Sequence, residues 1–111
     1  MVNYESAMEV NEEEFDEIIN NSHKLVVVDF YAEWCMPCVM LSPVIEELAK
    51  TKSMKEIKFT KINVDDNQEL SRKYGISSIP CLIIFKNGKE VNRIIGSQTA
   101  DVIEDKIKKF L

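Results

Sequence analysis

The stretch Phe30-Tyr31-Ala32-Glu33-Trp34-Cys35-Met36-Pro37-Cys38 decides how the chain reads, because it sets two cysteines three positions apart directly after the apolar run Val26-Val27-Val28-Asp29-Phe30. Upstream, Lys24 to Tyr31 has the continuous Val-rich character of a strand buried on both faces. Downstream, Leu41, Val44, Ile45, Leu48 and Ala49 recur at helical spacing. Pro43 lies inside that pattern, where its missing N–H should bend a helix running from Cys35 to near Lys52. Residues i and i+3 on a helical turn meet the Cα separation of about 4.4–6.8 Å that a disulfide requires. With Cys35 at the helix start, unpaired backbone N–H groups and the positive end of the helix dipole stabilise its thiolate. Cys35 is then the attacking thiol, and Cys38, one turn deeper, resolves the mixed disulfide. Pro37 suits the first turn, where its lost N–H has no partner to miss.

Working outward, Asn11 ahead of Glu12-Glu13-Glu14 is an N-cap with an acidic first turn, and Phe15, Ile18 and Ile19 give that helix one apolar face up to Asn20. A short strand is expected around Met8 to Val10, and Asn20-Asn21-Ser22-His23 is a turn. Ile57 to Val64 alternates as a strand, with Ile57, Phe59 and Lys61 on one face and Ile62 and Val64 on the other. A short helix carrying Leu70 and Tyr74 should end at Gly75 in the left-handed conformation. Cys81 to Lys86 and Lys89 to Ile95, joined by Asn87-Gly88, read as a hairpin. Ser97 or Thr99 caps a last helix with Val102, Ile103, Ile107, Phe110 and Leu111 on its apolar side. Alternating early elements predict a parallel first half, and the hairpin adds an antiparallel end. The result is a mixed three-layer α/β sandwich with its site at the carboxyl end of the central strand.

The 111 residues suit one domain with one core, and a net charge of −5 with a pI near 4.9 supplies no basic surface for a nucleic acid or an anionic membrane. The one dense basic group, Lys106, Lys108 and Lys109, falls at a helix end, where cations favour the carbonyl terminus. The apolar run Leu25 to Val28 is too short to span a bilayer. Met1-Val2-Asn3-Tyr4-Glu5 has neither the basic start nor the apolar segment of a signal peptide, so a cytoplasmic location is expected. In that compartment a close cysteine pair is catalytic or metal-binding rather than a staple.

A zinc or iron–sulfur module built from Cys35, Cys38, Cys81 and His23 is the alternative of a different class. It is weakened because such sites usually draw on two close pairs and only one is present. His23, in a polar turn, reads as a solvated side chain. Asp29 inside the valine-rich run has two readings: a carboxylate reaching the sheet edge or pairing with Lys61, or a buried acid or base serving Cys38. Burial would raise its pKa and Lys61 would oppose that. Ile79-Pro80 ahead of a strand suggests a cis peptide.

Asp29 to Cys38, followed by Lys61-Ile62-Asn63-Val64-Asp65, Tyr74-Gly75-Ile76, Ile79-Pro80 and Phe85-Lys86-Asn87-Gly88, resembles the thioredoxin family over about Met8 to Leu111. The resemblance implies the thioredoxin fold over a single domain, 1–111: an α/β/α sandwich whose central mixed five-stranded sheet is flanked by four helices. It implies a protein-disulfide reductase and electron carrier with no bound cofactor or metal. It acts as a monomer between a thioredoxin reductase and oxidised protein substrates, with no nucleic-acid or membrane partner. It makes Cys35 the nucleophile and Cys38 the resolving thiol, with Asp29 the buried acid/base, Lys61 its modulator and Pro80 a cis-proline facing the dithiol. Trp34, Met36, Pro37, Ile79, Ile95 and Gly96 become the surface where an extended substrate segment docks, pairing with the Ile79 backbone. A disulfide-isomerase-like oxidant uses similar residues, and the missing export signal speaks for reduction. Met36 stands where the family usually has Gly, Tyr31 where tryptophan is common, and Cys81 where Thr typically follows the proline. Cys81 is either a small buried apolar residue or a third thiol open to oxidation.

Overall fold

With Asp29 its one charged residue, β2 (Val26–Tyr31) is otherwise apolar or aromatic on both faces, and it takes the middle of a five-stranded sheet, covered on both sides. The structure is a computed structural model, and it describes residues 7–21 and 24–111; His23 lies outside the described residues. The chain runs β1 (Ala7–Glu9), α1 (Glu12–Asn21), β2, α2 (Met36–Ala49), β3 (Lys58–Asn63), α3 (Gln68–Lys73), β4 (Cys81–Lys86), β5 (Lys89–Ile95) and α4 (Ala100–Lys108). Strand order is β1-β3-β2-β4-β5; β1, β3 and β2 are parallel, and the β4–β5 hairpin adds the antiparallel end.

The pleat divides the core into two layers. On one side Val27, Phe59, Leu82 and Ile84 meet Leu41, Ile45 and Leu48 of α2 and Ile103 and Ile107 of α4. On the other, Val26, Val28, Phe30, Ile62 and Ile83 meet Phe15 and Ile19 of α1 and Leu70 of α3. Ile57 and Phe59 against Ile62 and Val64 divide as the alternation predicts.

Local chemistry sets the element ends. At the start of α1 the Glu14 N–H donates to Asn11 Oδ1 at 2.9 Å and the Asn11 N–H donates to Glu14 Oε1 at 3.0 Å, a reciprocal capping box. Gly75, at φ 61°, closes α3 by letting the Ile76 N–H reach the Ser71 carbonyl and its own N–H reach that of Arg72. Asn87 and Gly88, both at positive φ, make the tight turn of the hairpin.

Several boundaries differ from the sequence reading. β2 starts at Val26 rather than Lys24, and α2 continues past Pro43 but stops at Ala49. A 3₁₀ turn, Lys52–Met54, follows it and buries Met54 completely; a single apolar residue in so short a turn offers no periodicity to read. Thr99, not Ser97, caps α4, through an Oγ1 that accepts from the Val102 N–H.

Candidate active site

β2 delivers the chain into the tight segment Ala32–Cys35, and Cys35 is the N-cap of α2, in extended conformation with Pro37 in the first turn. The Cys38 N–H donates to Cys35 Sγ at 3.2 Å, so the sulfur occupies the place a capping oxygen usually takes. Cys35 and Cys38 are joined as a disulfide with Cα atoms 5.2 Å apart. Both are buried together with Ala32, against Tyr31, Val64 and Ile79. The Ile79–Pro80 peptide is cis, Pro80 is buried, and the Ile79 carbonyl oxygen lies 3.8 Å from Cys35 Sγ.

An apolar rim surrounds the disulfide. Trp34 is 71% exposed, Met36 66% and Ile95 56%, far above what large apolar side chains show in a core, so this rim lies open at the surface. Its parts are fastened. Trp34 Nε1 donates to Asp65 Oδ2 at 2.8 Å, the Gly96 N–H donates to the Pro80 carbonyl at 2.8 Å, and Ser97 Oγ donates to the Pro37 carbonyl at 3.2 Å. The structure thus brings Trp34, Met36, Pro37, Ile79, Pro80, Ile95 and Gly96 around the cysteines from three separate segments.

Asp29 and Lys61 lie in the layer beneath. Asp29 has the strand parity of Val27 and so faces the side covered by α2, where Cys38 also turns inward. It is 6% exposed on the central strand, which rules out a carboxylate reaching the sheet edge. Lys61 is its register partner on β3. Among the described residues Asp29 Oδ1 has no hydrogen-bond partner. Burial pushes the Asp29 carboxyl from its ordinary 3.8 up to about 7; the Lys61 charge opposes this and the Glu9 charge adds to it. Desolvation therefore outweighs the cation beside it. Lys61 is itself lowered by burial, against the raising effect of Glu9 and Asp29.

Two participants, Glu9 and Tyr31, escape a reading from sequence. Lys61 Nζ is 3.7 Å from Glu9 Oε1 and 5.1 Å from the centroid of the Tyr31 ring, and the Tyr31 hydroxyl donates to Glu9 Oε1 at 2.5 Å. Burial, and then the bond to Glu9, raise the Tyr31 phenol well above its ordinary value. The signal that could have found Glu9 is a register argument: of two parallel strands flanking β3, one puts a carboxylate beside Lys61 at the edge and the other puts one at the centre.

Cys81, beside Pro80 on β4, is a free thiol at 1% exposure, packed with Phe30 and Phe85, and burial pushes its pKa up. Among the described residues no group of three or more His, Cys, Asp or Glu side chains could hold a metal ion. No helix among them is long and apolar enough to cross a membrane.

With this geometry, a capping sulfur bonded to a second one turn on and set next to the carbonyl that precedes a cis proline, the chain is similar to proteins of one kind. A family model described as Thioredoxin matches residues 6–109. A thioredoxin of Rickettsia bellii is 46% identical over 90 residues, covering 81% of this chain and 85% of that protein. One of Porphyra purpurea is 40% identical over 106 residues, with 96% and 98% covered. An M-type chloroplastic thioredoxin of Pisum sativum is 41% identical over 102 residues, 92% of this chain, which spans 59% of that longer protein. The solved structure of a mutant thioredoxin from Halobacterium salinarum superimposes with a TM-score of 0.86 at 34% identity, covering 99% of this chain and 95% of the other.

Proposed function

The chain belongs to the thioredoxin family, and from that premise we propose how its residues divide the work: Cys35 attacks, Cys38 resolves, Asp29 takes the resolving proton, and a thioredoxin reductase returns the electrons. As a thiol–disulfide oxidoreductase it works by dithiol–disulfide exchange. The observation that carries the assignment is the capping sulfur of Cys35, which receives the Cys38 N–H at the start of α2. That N–H and the helix dipole favour a thiolate at Cys35 over one at Cys38, which has turned into the core.

In the first step the Cys35 thiolate attacks one sulfur of a target disulfide. A Cys35–target disulfide forms, the target's second sulfur leaves as a thiolate, and it takes up a proton from water. In the second step Cys38 gives its proton to the Asp29 carboxylate and attacks Cys35 Sγ. The intramolecular disulfide forms and the target's remaining sulfur leaves as a thiolate that is protonated in turn. The target gains two electrons and two protons; the pair supplies both electrons and, having started as a Cys35 thiolate, only the Cys38 proton that Asp29 receives, so the balance of protons is exchanged with water. A carboxyl titrating near neutrality suits this acceptor role, because it is ionised often enough to receive the proton and basic enough to hold it. Lys61 modulates Asp29 through its charge. The exposed Trp34, Met36 and Ile95, with Pro37, Ile79, Pro80 and Gly96, form the docking face, on which an extended target segment pairs with the Ile79 backbone.

The direction is reduction, in the cytoplasm, by a monomer; the thioredoxins of Rickettsia bellii and Porphyra purpurea, similar over most of this chain, support reduction over the oxidant reading. The deciding experiment combines the equilibrium potential of the Cys35–Cys38 couple with reduction of a model protein disulfide. Cys38→Ser is expected to accumulate a covalent target complex released by dithiothreitol, and Cys35→Ser to form none. A complex trapped on Cys38 instead would reverse the assignment, and a strongly oxidising potential would reverse the direction.

A further inference from the structure

One row of Cα partners carries ionisable groups across the three parallel strands: Glu9 on β1 stands opposite Lys61 on β3, and Lys61 opposite Asp29 on β2. The row continues into Leu82 and Ile94 on the hairpin. Exposure falls along it, from 49% for the Glu9 side chain to 12% for that of Lys61, with Asp29 at 6%. A cation thus sits between a half-solvated carboxylate and a buried one. Glu9 reaches the cation by an ion pair, and Tyr31 helps hold the arrangement, its hydroxyl on Glu9 Oε1 and its ring facing the ammonium. Of the two carboxylates, Glu9 acts more strongly on Lys61 than Asp29 does, and Asp29 Oδ1 keeps no hydrogen-bond partner among the described residues. The exchange chemistry of the two cysteines gives no reason for a carboxylate at Glu9.

We propose that Glu9 is a positioning residue of this site: by drawing the Lys61 charge toward the β1 edge, it leaves the Asp29 carboxyl able to take the Cys38 proton. Were Lys61 committed to Asp29, the carboxylate would be stabilised as an ion and would hold a proton poorly near neutral pH. Glu9 competes for the same cation and, by its own negative charge, adds to the same effect. The charges acting on Asp29 are Lys61 from β3 and Glu9 from β1. Asp29 in turn acts on Tyr31 of its own strand and on Cys81 of β4, α2 covers its face of the sheet with Cys38 on the buried side, and Glu33 acts on Tyr31 and Lys61.

The proposal rests on Asp29 being the proton acceptor, and two readouts keep the failures apart. The first is an NMR titration of the Asp29 carboxyl in the full chain, native and Glu9→Gln, each also in a Lys61→Met background. Glu9→Gln retains an acceptor oxygen for Tyr31 at an exposed strand edge, so the fold is retained. The expected result is an Asp29 midpoint lowered on the order of half a pH unit, and lowered less when Lys61 is absent. The second is the single-turnover release of target from the Cys35 mixed disulfide, whose acid limb should move to lower pH with the midpoint, because release needs Asp29 ionised. An unmoved or raised midpoint, or an equal fall without Lys61, overturns the positioning role. A lowered midpoint with an unmoved release profile upholds the hold of Glu9 on Lys61 and sinks Asp29 as the acceptor.

Discussion

Asp29 is costly where it stands, and the cost depends on pH. Its carboxyl titrates at about 7 when folded against 3.8 when unfolded, so between those values the folded chain binds more protons. Stability is therefore lost as pH rises through that window, and the penalty is complete above about 7. Asp29→Asn removes the titration while keeping the size. Its stability relative to the native chain should rise by on the order of 3–4 kcal/mol between pH 4 and pH 8, read from paired urea unfolding curves; a pH-independent difference would show that Asp29 is ionised throughout. Cys81 illustrates the opposite case, a titratable group kept out of the chemistry. Buried and raised in pKa, it should react with a thiol reagent only after denaturation, so a Cys35→Ser/Cys38→Ser double variant yields no fast thiol when native and one in guanidinium. A fast thiol in the native double variant would make Cys81 a redox participant. From sequence the buried, inert reading of Cys81 was the favoured one without being decisive, because a cysteine's reactivity depends on depth and neighbours rather than on its own type.

At the scale of elements, what was legible is what local rules govern. The Asn11 cap and its acidic turn, the Gly75 stop, the Asn87-Gly88 turn and the valine-rich central strand are each specified by residues within a few positions of one another. The α1 cap can be tested in isolation. Asn11→Ala removes the acceptor for the Glu14 N–H and should cost about 1 kcal/mol in urea unfolding with no change in denaturant slope. A loss within error would mean that water replaces the side chain. The 3₁₀ turn at Lys52–Met54 was not legible, and neither was the choice of Thr99 over Ser97, since both depend on what the segment packs against. The close cysteine pair, the apolar residues around it and the cis peptide before Pro80 were legible through spaced motifs. Glu9 and Tyr31 were not, because their meeting with Lys61 exists only once β1, β2 and β3 are in register.

For the whole molecule, the five strands and two helical layers draw in to a Cα radius of gyration of 12.6 Å, close to the ~13 Å that a compact chain of this length should have. Solution scattering is expected to give the radius of a single copy over a range of concentrations; one that grows with concentration would mean that the apolar rim pairs with itself. The site within this body is local in one respect that matters for traffic. Its two sulfurs stand on one helical turn, with Cα atoms 5.2 Å apart, so making or breaking their bond asks almost nothing of the backbone. On the proposed function, loaded and spent forms then offer nearly the same silhouette to whatever approaches and compete for the same landing place. What separates them for a partner is whether a thiolate or a disulfide meets its own sulfur, so the flow of electrons would follow the relative abundance and potential of donors and acceptors.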